Sequence, residues 1–529
     1  MAFPKFVTAQ EAVSHIKDGD TVAFCGFMAM GHAEEIAYAL EKRFLETGSP
    51  KDMTAVWNAS QSNGKDRIGV DRFGHVGMIK RVISSHMGLE KNVVKMALRN
   101  EVEVFNLPLG VMIHLYRAKA GKKPCIITPV GLGTFVDPRE EGGKMNEAAK
   151  KSGLELVKVV EIDGREYLQY KTFDYNVVII RGTAADEHGN ITADREALQL
   201  EMTSMAFAAK ASGGIVIAQV ERVVKAGSLN PQLVKLPGAA VDYVVKCSDP
   251  QRFHRQTYSY YYEPAFSGEC KIPLSSSVAA VPLDERKIIA RRAALELKAG
   301  SLLNLGFGIP VIVSSVVAQE GLTDQFMFTV EPGVYGGVPV SGQDFGCAYN
   351  AEAFIDHGFQ FDFYDGGGID LSVLSMAELD GDGNVNVSKF GPRIIGPGGF
   401  IDIAQNAKEI VFTGTVTAGG LKVETADGKL RILNEGKFKK LKAKVEQKTF
   451  SGEFARKMGQ RTLYVTERAV FEMRPEGLTL TEIAPGIDLQ SQVLDLIEFE
   501  PLIAKDLKLM DERLFREETM GIAKDILDS

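Results

Sequence analysis

Short runs of apolar, β-branched residues alternate with helical stretches along most of the chain. Each run is bounded by glycine or polar residues and predicts a strand. The predicted strands are Thr21–Cys25, Thr54–Trp57, Glu103–Asn106, Cys125–Val130, Val177–Ile180, Ile215–Val220, Leu302–Leu305, Met327–Val330, Leu371–Leu374 and Ile410–Thr413. Because strands that are apolar on both faces belong to sheets covered on both sides, the pattern predicts largely parallel sheets flanked by helices. Near the C-terminus, Leu463–Met473 and Gly477–Ile483 predict paired strands.

The same succession of elements occurs twice. In the first half, a helix with a capping box at Thr8 precedes Gly19, an apolar strand and Gly26. In the second half, a helix that Asp284 caps precedes Gly300, another apolar strand and a further Gly-Phe pair. The repetition indicates two domains of common topology.

A second correspondence is sharper, because Asp186–Thr192 (DEHGNIT) resembles Asp380–Asn386 (DGDGNVN). An apolar strand follows each segment after about 25 residues. We therefore predict an α/β protein of two tandem domains with shared topology, residues 1–260 and 284–529, joined by a linker at 261–283. The alternative is that two βα units look alike by chance.

The composition narrows the class of protein. The 529 residues include 61 Lys and Arg against 69 Asp and Glu, so the net charge is −8, which argues against a dedicated nucleic-acid binder. Five scattered cysteines without a CxxC pair indicate reduced thiols in a cytoplasmic protein, and neither disulfides nor a metal site. The sequence lacks a signal-peptide pattern and any run of about 18 apolar residues, so we expect no membrane span.

Three glycine-rich turns follow predicted strands, at residues 131–134, 306–310 and 396–400. Such turns can bring backbone N–H groups close to an anion or a carbonyl oxygen. None of them matches GxGxxG or a phosphate loop ending in GK[ST], so a dinucleotide or nucleotide-hydrolysing site is disfavoured. The alternative for each is a glycine that only packs at a strand end.

Glu331 directly follows the predicted strand Met327–Val330 and precedes Pro332-Gly333. Pro-Gly suits the two central positions of a type II turn, and a residue before proline favours extended geometry. Glu331 would then be the last extended residue at the carboxyl end of a strand, where a carboxylate can act as a nucleophile or a base. The alternative, which spacing alone favours, is a solvated glutamate at a surface turn.

Several long motifs in the correct order resemble the family I coenzyme A transferases, in particular the single-chain propionate or acetate CoA-transferases. The resemblance covers nearly the whole chain, from Lys17–Asp20 to Leu507–Leu514. The motifs are EPGVYGGVP, GLGTFVDPREEGGKMNE, FQFDFYDGGGIDLSVLSMAELDGDGNVNVSKFGPRIIGPGGFIDI, YVTERAVF and EIAPGIDL. In that type of enzyme, the two subunits of other members are fused into one chain, which the internal repeat matches.

The resemblance assigns roles to particular residues. It implies that Glu331, in the E-x-G motif, is the nucleophile. It also implies that Gly396, Gly398 and Gly399, in the G-x-G-G loop, contact CoA and the thioester oxygen, together with Gly110 of the P-x-G motif. No metal ion and no cofactor other than CoA, which is a substrate, is implied.

Two positions depart from the pattern of the family. Pro332 stands where relatives have a small or polar residue, and it removes a backbone donor. Leu109 stands where relatives carry a glutamine that contributes to the oxyanion hole. Because losing one such donor costs about 3–4 kcal/mol, we expect the thioester oxygen to rely on backbone N–H groups.

The acyl pocket is expected in the first half, near Phe27, Met28 and the turn that contains Gly133. Flexible methionine side chains would suit short unbranched acids, although core packing is the alternative for each of these residues.

The resemblance implies transfer of CoA from a short-chain acyl-CoA to a free short-chain carboxylate. The route is ping-pong, through an acyl-glutamyl anhydride and a glutamyl-CoA thioester, in a homodimer or homotetramer. Two alternatives remain, which are an acyl-CoA hydrolase on the same fold and a non-catalytic acyl-CoA sensor.

Overall fold

The structure is a computed structural model that describes residues 3–273 and 281–528. Each half of the chain builds one large sheet, and helices cover both sheets. The predicted α/β class with largely parallel sheets is therefore confirmed.

The first sheet runs in the order β1-β13-β11-β9-β2-β3-β4-β5, and all neighbours in this order are parallel. The strands of the first half are β1 (Lys5–Phe6), β2 (Thr21–Phe24), β3 (Met53–Trp57), β4 (Ile79–Ser84), β5 (Glu103–Asn106), β6 (Cys125–Thr128), β7 (Val157–Ile162), β8 (Arg165–Lys171), β9 (Val177–Asp186), β10 (Ile191–Thr192), β11 (Ile215–Val224), β12 (Val234–Leu236) and β13 (Tyr243–Lys246). The helices are α1 (Ala9–Val13), α2 (Glu34–Thr47), α3 (Lys91–Leu98), α4 (Leu109–Ala120), α5 (Glu147–Lys151), α6 (Met202–Ala211) and α7 (Pro250–Phe253).

The second sheet runs in the order β19-β16-β15-β14-β20-β25-β31-β32-β33-β34, and its segment from β15 to β31 is parallel. The strands of the second half are β14 (Leu302–Leu305), β15 (Met327–Val330), β16 (Val334–Tyr335), β17 (Val338–Pro339), β18 (Ala348–Tyr349), β19 (Ala353–Phe354), β20 (Leu371–Ser375), β21 (Glu378–Asp380), β22 (Val385–Asn386), β23 (Lys389–Phe390), β24 (Arg393–Ile394), β25 (Glu409–Thr413), β26 (Thr417–Ala418), β27 (Lys422–Ala426), β28 (Lys429–Asn434), β29 (Phe438–Lys439), β30 (Leu441–Lys442), β31 (Arg461–Val465), β32 (Ala469–Arg474), β33 (Gly477–Ile483) and β34 (Leu502–Leu509). The helices are α8 (Glu285–Ala294), α9 (Ile312–Gln319), α10 (His357–Asp365), α11 (Phe400–Asn406), α12 (Gly452–Lys457), α13 (Leu489–Gln492) and α14 (Ala523–Leu527).

The two sheets share a core of five parallel strands. β13-β11-β9-β2-β3 in the first half corresponds to β31-β25-β20-β14-β15 in the second, in the same order and direction. The topology that the internal repeat predicts is therefore present in both sheets.

The two similar DxxGN turns form the same hydrogen bonds. Asp186 Oδ1 accepts from the backbone N–H of Asn190 at 2.9 Å, and Asp380 Oδ1 accepts from that of Asn384 at 3.0 Å. Each asparagine Oδ1 then accepts from the N–H of a distant glycine, Gly238 at 3.0 Å in the first half and its counterpart at position 452 at 3.1 Å in the second. The short motif thus ties a hairpin to a remote loop in both halves.

The predicted helix caps are confirmed. Thr8 Oγ1 accepts from the Glu11 N–H, and the Glu11 carboxylate accepts from the Thr8 N–H at 2.8 Å, which completes the capping box. Asp284 accepts from two N–H groups in the first turn of α8.

Two strand predictions differ from the structure, and β4 is among the strands that were not predicted. Leu463–Met473 is divided into antiparallel β31 and β32, because residues 466–468 form a turn. β6 lies outside the large sheet, in a small antiparallel sheet with β8 and β7. β4 was not predicted, because Lys80 and Arg81 interrupt its apolar run.

The two halves meet along α4, which packs against α6 of its own half and against α10 and α11 of the other. Leu109 and Ile113 of α4 share a hydrophobic cluster with Phe361 of α10. The predicted linker starts as an ordered segment, where Ile272 and Asn350 exchange two hydrogen bonds of 2.8 Å. Residues 274–280 lie outside the described residues, and the domain boundaries remain predictions.

Within the described residues, no helix combines the length and the apolar composition that a membrane crossing requires.

Candidate active site

Glu331 is the first residue of the loop that joins β15 to β16. The two strands form an antiparallel hairpin in which Val330 pairs with Val334. Because the Gly333 N–H donates to the Val330 carbonyl at 3.1 Å, Glu331 and Pro332 occupy the central positions of the turn. The predicted turn with Pro-Gly at its centre is therefore wrong by one residue.

The glycine of the E-x-G motif has a steric reason. Gly333 has φ = +100°, and a Cβ atom there would lie less than 3.0 Å from the carbonyl oxygen of Ile355. The Ile355 N–H also donates to the Gly333 carbonyl at 2.9 Å. The segment before α10 therefore holds the Glu331 loop in place through the contacts between Ile355 and Gly333.

The G-x-G-G loop of the second half is anchored on the first half. The Gly398 N–H donates to the Ser85 carbonyl at 3.1 Å, just after β4. The Gly398 carbonyl accepts from the Ser85 hydroxyl at 2.9 Å and from the Leu109 N–H at 3.0 Å. Because its N–H is used in this way and its side chain is buried, Leu109 offers no donor to a substrate.

Gly399 lies directly against the Glu331 carboxylate. A Cβ atom on Gly399 would lie less than 3.0 Å from Glu331 Oε2, although the φ of Gly399 is −80°, a value that any residue adopts. Space, and not backbone conformation, therefore demands glycine here. Among the described residues, no acceptor takes the Gly399 N–H.

Gly110 lies in the first turn of α4, behind this contact. A Cβ atom there would lie 2.5 Å from Asp402 Oδ1 and 2.7 Å from the ring of Phe361. Burial, together with the nearby Asp365 carboxyl, raises the pKa of Asp402 well above its usual range. Burial therefore disfavours the ionised form of Asp402, next to Gly110.

The Glu331 carboxyl has few stabilising partners. Within the described part of the chain, no hydrogen bond reaches it, and burial raises its pKa to about 7, while His357 acts in the opposite direction. With a pKa of about 7, the Glu331 carboxyl is about half ionised at pH 7, and its poorly solvated carboxylate form is well suited to nucleophilic attack.

Behind the site lies a buried polar chain that sequence reasoning missed. Glu201 Oε1 accepts from Asn58 Nδ2 at 2.6 Å, and Glu201 Oε2 lies 2.7 Å from His357 Nδ1. The only sequence signal was the position of Asn58, which directly follows β3 as Glu331 follows β15.

A second missed cluster borders the glycine loop. Ser60 Oγ lies 2.7 Å from both His86 Nδ1 and Glu90 Oε2. The His86 ring lies 3.9 Å from the position that a Cβ atom on Gly398 would take. Burial lowers the pKa of His86 to about 4, so the ring is neutral at pH 7.

Known proteins resemble this chain over nearly its full length. A family model described as coenzyme A transferase matches residues 6–247. A caffeate CoA-transferase from Acetobacterium woodii is 47% identical over 98% of both chains. This chain belongs to the coenzyme A transferase family.

Two further relatives support the assignment. The acetate CoA-transferase YdiF of Escherichia coli K12 is 41% identical to this transferase and covers 97% of this chain, with 96% of its own length matched. A crystal structure of the acyl-CoA transferase YdiF from E. coli O157:H7, in a thioester complex with CoA, has a TM-score of 0.91 at 39% identity. It covers 98% of this chain and matches 97% of its own chain.

The transferase brings together most of the residues that the sequence singled out. Gly399 contacts the Glu331 carboxylate, and Gly398 is the adjacent residue of the same loop. Gly396 packs on the Ser85 carbonyl, and Gly110 lies behind Gly399 against Asp402 and Phe361.

The predicted pocket residues are placed less centrally. Phe27 is only 4% exposed and packs on Phe345 and Gly346, as a core residue does. Met28 is partly exposed and has φ = +55°, with its N–H bound to the Ser60 carbonyl.

Gly133 contacts residues outside the Glu331 turn and the G-x-G-G loop. Its N–H donates to Asp137, and it faces Ser451. The neighbouring Gly131 binds Gln405 near the end of α11, about 9 Å along the helix from Gly399.

The described residues contain no group of three or more His, Cys, Asp or Glu side chains that could hold a metal ion.

Proposed function

We propose that this CoA-transferase moves CoA from a short-chain acyl-CoA to a free short-chain carboxylate by a ping-pong route, with Glu331 as the nucleophile. The observation that carries the proposal is the position of the Glu331 carboxyl. It lies against Gly399 at the seam between the halves and has no hydrogen-bond partner among the described residues. The thioester complex of a relative with CoA also supports a route through a covalent thioester.

The first half-reaction consists of two exchanges at carbonyl carbons. The Glu331 carboxylate attacks the thioester carbonyl of the donor, and the C–S bond breaks to release the CoA thiolate. The product is a mixed anhydride between the acyl group and Glu331. The thiolate then attacks the Glu331 carbonyl carbon, so that the donor acid leaves and a glutamyl-CoA thioester remains. The acceptor acid reverses these steps.

The Gly399 N–H is the best-placed donor for the oxygen that becomes negative during these exchanges. It is free in the described structure, and it lies where the Glu331 carboxyl meets the glycine loop. The N–H of Leu109 is occupied, and that of Gly110 faces Asp402. Preorganised donors of this kind are worth about 3–4 kcal/mol each in the transition state.

Exclusion of water decides between transfer and hydrolysis, because both covalent intermediates are reactive towards water. The ring of Phe361 lies against the positions that Cβ atoms on Gly110 and Gly399 would take, beside the Glu331 carboxyl. A dry site favours transfer of the acyl group to a carboxylate.

We infer a short-chain acid from the resemblance to acetate and propionate transferases, whereas another relative is named for caffeate. A matrix of acyl-CoA donors against acetate, propionate, butyrate and caffeate as acceptors separates these classes. The five free cysteines support a reducing cytoplasmic setting, and light scattering checks the expected homodimer or homotetramer.

Glu331→Gln and Glu331→Ala test the nucleophile. We expect transfer to fall by about 10⁴-fold or more in both variants, since a nucleophile is removed. Acyl-CoA followed by borohydride should reduce the glutamyl thioester and give a mass change on the peptide that contains Glu331 in the wild type only.

The acceptor dependence provides the control. Thiol release from acetyl-CoA at full rate without an acceptor acid would mean hydrolysis. Substantial transfer by Glu331→Gln would exclude Glu331 as the nucleophile.

A further inference from the structure

His86 borders the G-x-G-G loop from the first half of the chain. Its backbone is held after β4, since its N–H donates to the Asn58 carbonyl at 3.0 Å and its carbonyl accepts from Trp57 Nε1 at 3.0 Å. The ring Cδ2 atom lies 3.9 Å from the position that a Cβ atom on Gly398 would take. The preceding residue, Ser85, forms two hydrogen bonds with Gly398. The imidazole therefore has a fixed position beside the loop.

One edge of the His86 ring is bound by the protein. Nδ1 lies 2.7 Å from Ser60 Oγ, and Ser60 Oγ donates to Glu90 Oε2 at 2.7 Å. The other oxygen of Glu90, Oε1, accepts from the Gln61 N–H at 2.8 Å, so the carboxylate accepts at both oxygens. Because Ser60 has a single hydroxyl proton and gives it to Glu90, His86 Nδ1 must supply the proton of its own contact with Ser60.

The protonation states agree with this arrangement. Burial lowers the pKa of His86 to about 4, so the ring is neutral and carries one proton. Burial raises the pKa of Glu90 to about 7, so the carboxylate predominates at pH 8. With its single proton on Nδ1, the ring has a lone pair on Nε2, which makes this nitrogen a hydrogen-bond acceptor.

The Nε2 edge of the ring is open. Among the described residues, no hydrogen bond reaches Nε2, and His86 is partly exposed. Nε2 lies between Cδ2, on the side of Gly398, and Cε1, which is 3.4 Å from the position that a Cβ atom on Gly88 would take. Neither glycine has a side chain that could cover it. An oriented acceptor in such a place is suited to a donor on a ligand.

The length of the thiol arm of CoA fits the spacing along the loop. Gly399 contacts the Glu331 carboxylate, and Gly398 lies one residue away, about 3.8 Å between Cα atoms. In CoA, two methylene groups separate the sulfur from the first amide nitrogen, which is also about 4 Å. An arm that is attached at Glu331 and follows the loop towards Gly398 therefore brings this amide next to His86.

We propose that His86 contacts the substrate, with Nε2 accepting a hydrogen bond from the CoA amide N–H nearest to the thioester sulfur. This inference rests on the proposed role of Glu331 as the nucleophile. Ser60 and Glu90 are positioning residues, because they set the tautomer of the ring. The first half thus recognises the thiol arm beside the glycine loop of the second.

Two truncated substrates test the contact at pH 8. S-acetyl-N-acetylcysteamine keeps the amide N–H, whereas the S-acetyl thioester of 2-mercaptoethyl acetate has an ester oxygen in its place. The wild type should prefer the amide compound by about tenfold in kcat/KM, because the ester leaves Nε2 without a donor. His86→Asn keeps a polar atom near Ser60 but has none at the place of Nε2, so its preference should fall to about twofold or less.

His254→Asn is the matched control. His254 is a buried histidine of the first half that lies 3.3 Å from Glu196 and 3.2 Å from Gln219, and these contacts do not involve the glycine loop. This variant should keep the wild-type preference for the amide compound even if it unfolds at a lower temperature.

Glu90→Gln tests the tautomer while it keeps the ring. A glutamine can accept from the Gln61 N–H and donate to Ser60 Oγ, so Ser60 then donates to His86 Nδ1 and the ring proton moves to Nε2. The preference for the amide compound should be lost. Nitrogen-15 NMR of histidine-labelled protein at pH 8 should show the His86 proton on Nδ1 in the wild type and on Nε2 in this variant.

The outcomes separate this inference from the proposed function. If His86→Asn slows both truncated thioesters equally, the ring has only a structural role and the inference is overturned. Equal use of the two compounds by the wild type, or a wild-type ring proton on Nε2, also overturns it. If His86→Asn does not fold, an unchanged preference in Glu90→Gln overturns it. Transfer by Glu331→Gln would instead exclude the proposed nucleophile, a result that the amide preference does not decide.

Discussion

β3 and β15 hold the same place in the two sheets, next to β2 and β14 respectively, yet the residues that follow them have opposite surroundings. Asn58, after β3, donates to Glu201 at 2.6 Å and is enclosed. Glu331, after β15, is partly exposed and has no hydrogen-bond partner in the described structure. One fold position thus holds a closed polar network in the first half and, in the second, a carboxyl without a hydrogen-bond partner among the described residues.

The difference lies in what closes over each position. Asn58 is covered by its own half through Glu201 and also reaches the second half through His357. Glu331 instead faces Gly399 of the G-x-G-G loop, which has no side chain. The backbone of that loop is hydrogen-bonded to Ser85 of the first half. The difference between the two positions therefore arises from packing, and not from a difference in topology.

Filling the space beside Glu331 is expected to have the largest effect on activity. Gly399→Ala places a methyl group where the Glu331 carboxylate lies, so we expect kcat/KM to fall by about 10²–10³-fold, as when a catalytic group is displaced. Gly121→Ala at the end of α4 is the control, because its Cβ would make only ordinary contacts at 3.7 Å. Equal activities of the two variants would contradict the tight contact.

Converting the first-half position into an acid should be less severe and should affect stability. Asn58→Asp places a second carboxyl beside Glu201, at a cost of about 2–4 kcal/mol in the free energy of unfolding at pH 8. The new carboxyl would have a raised pKa in the folded state. The loss should therefore be small near pH 4 and grow as the pH rises. Urea unfolding at pH 5 and pH 8 measures it, and a loss independent of pH would point to packing alone.

Protonation of Glu331 is expected to have a moderate effect on the rate of glutamyl thioester formation. Its pKa of about 7 means that the nucleophilic carboxylate is lost below that pH, by about tenfold for each unit. Single-turnover formation of the glutamyl thioester between pH 5 and pH 9 should rise to a plateau above 7. A rate that stays constant down to pH 5 would mean that Glu331 is fully ionised there.

Substitutions in the two DxxGN turns are expected to have the smallest effects on stability, and similar effects in both halves. Asn190→Ala and Asn384→Ala each remove the side chain that binds the N–H of a distant glycine, so each should lower the free energy of unfolding by about 1–2 kcal/mol. Activity per folded molecule should stay near the wild-type value. A large loss of activity in only one of them would show that the turns have diverged in role.

The strands and the repeat were predictable because they leave local signals. Apolar runs such as Leu302–Leu305 and Met327–Val330 match the observed strands residue for residue. Their order in each sheet follows from the usual connection of parallel strands through helices. The hidden strand β4 contains two basic residues, so its pattern resembled an exposed segment.

The site was predictable only in part. Glu331 and the glycine loop are predicted site residues that their motifs indicate, whereas Ser85 and Gly398 are separated by 313 positions and Glu201 and His357 by 156. Contacts across such distances leave no periodicity in the sequence. The place of Gly133 in the acyl pocket stays a prediction, because a glycine turn after a strand does not reveal which part of α11 it meets.

Because the Gly398 backbone is hydrogen-bonded to Ser85 and Leu109, the two halves of the chain depend on each other in evolution. A recombination event that joined either half to an unrelated partner would separate Glu331 and the G-x-G-G loop from Ser85 and Leu109, the first-half residues that hold the loop in place. Selection must therefore preserve both halves together, and substitutions along their shared boundary are expected to arise in compensating pairs.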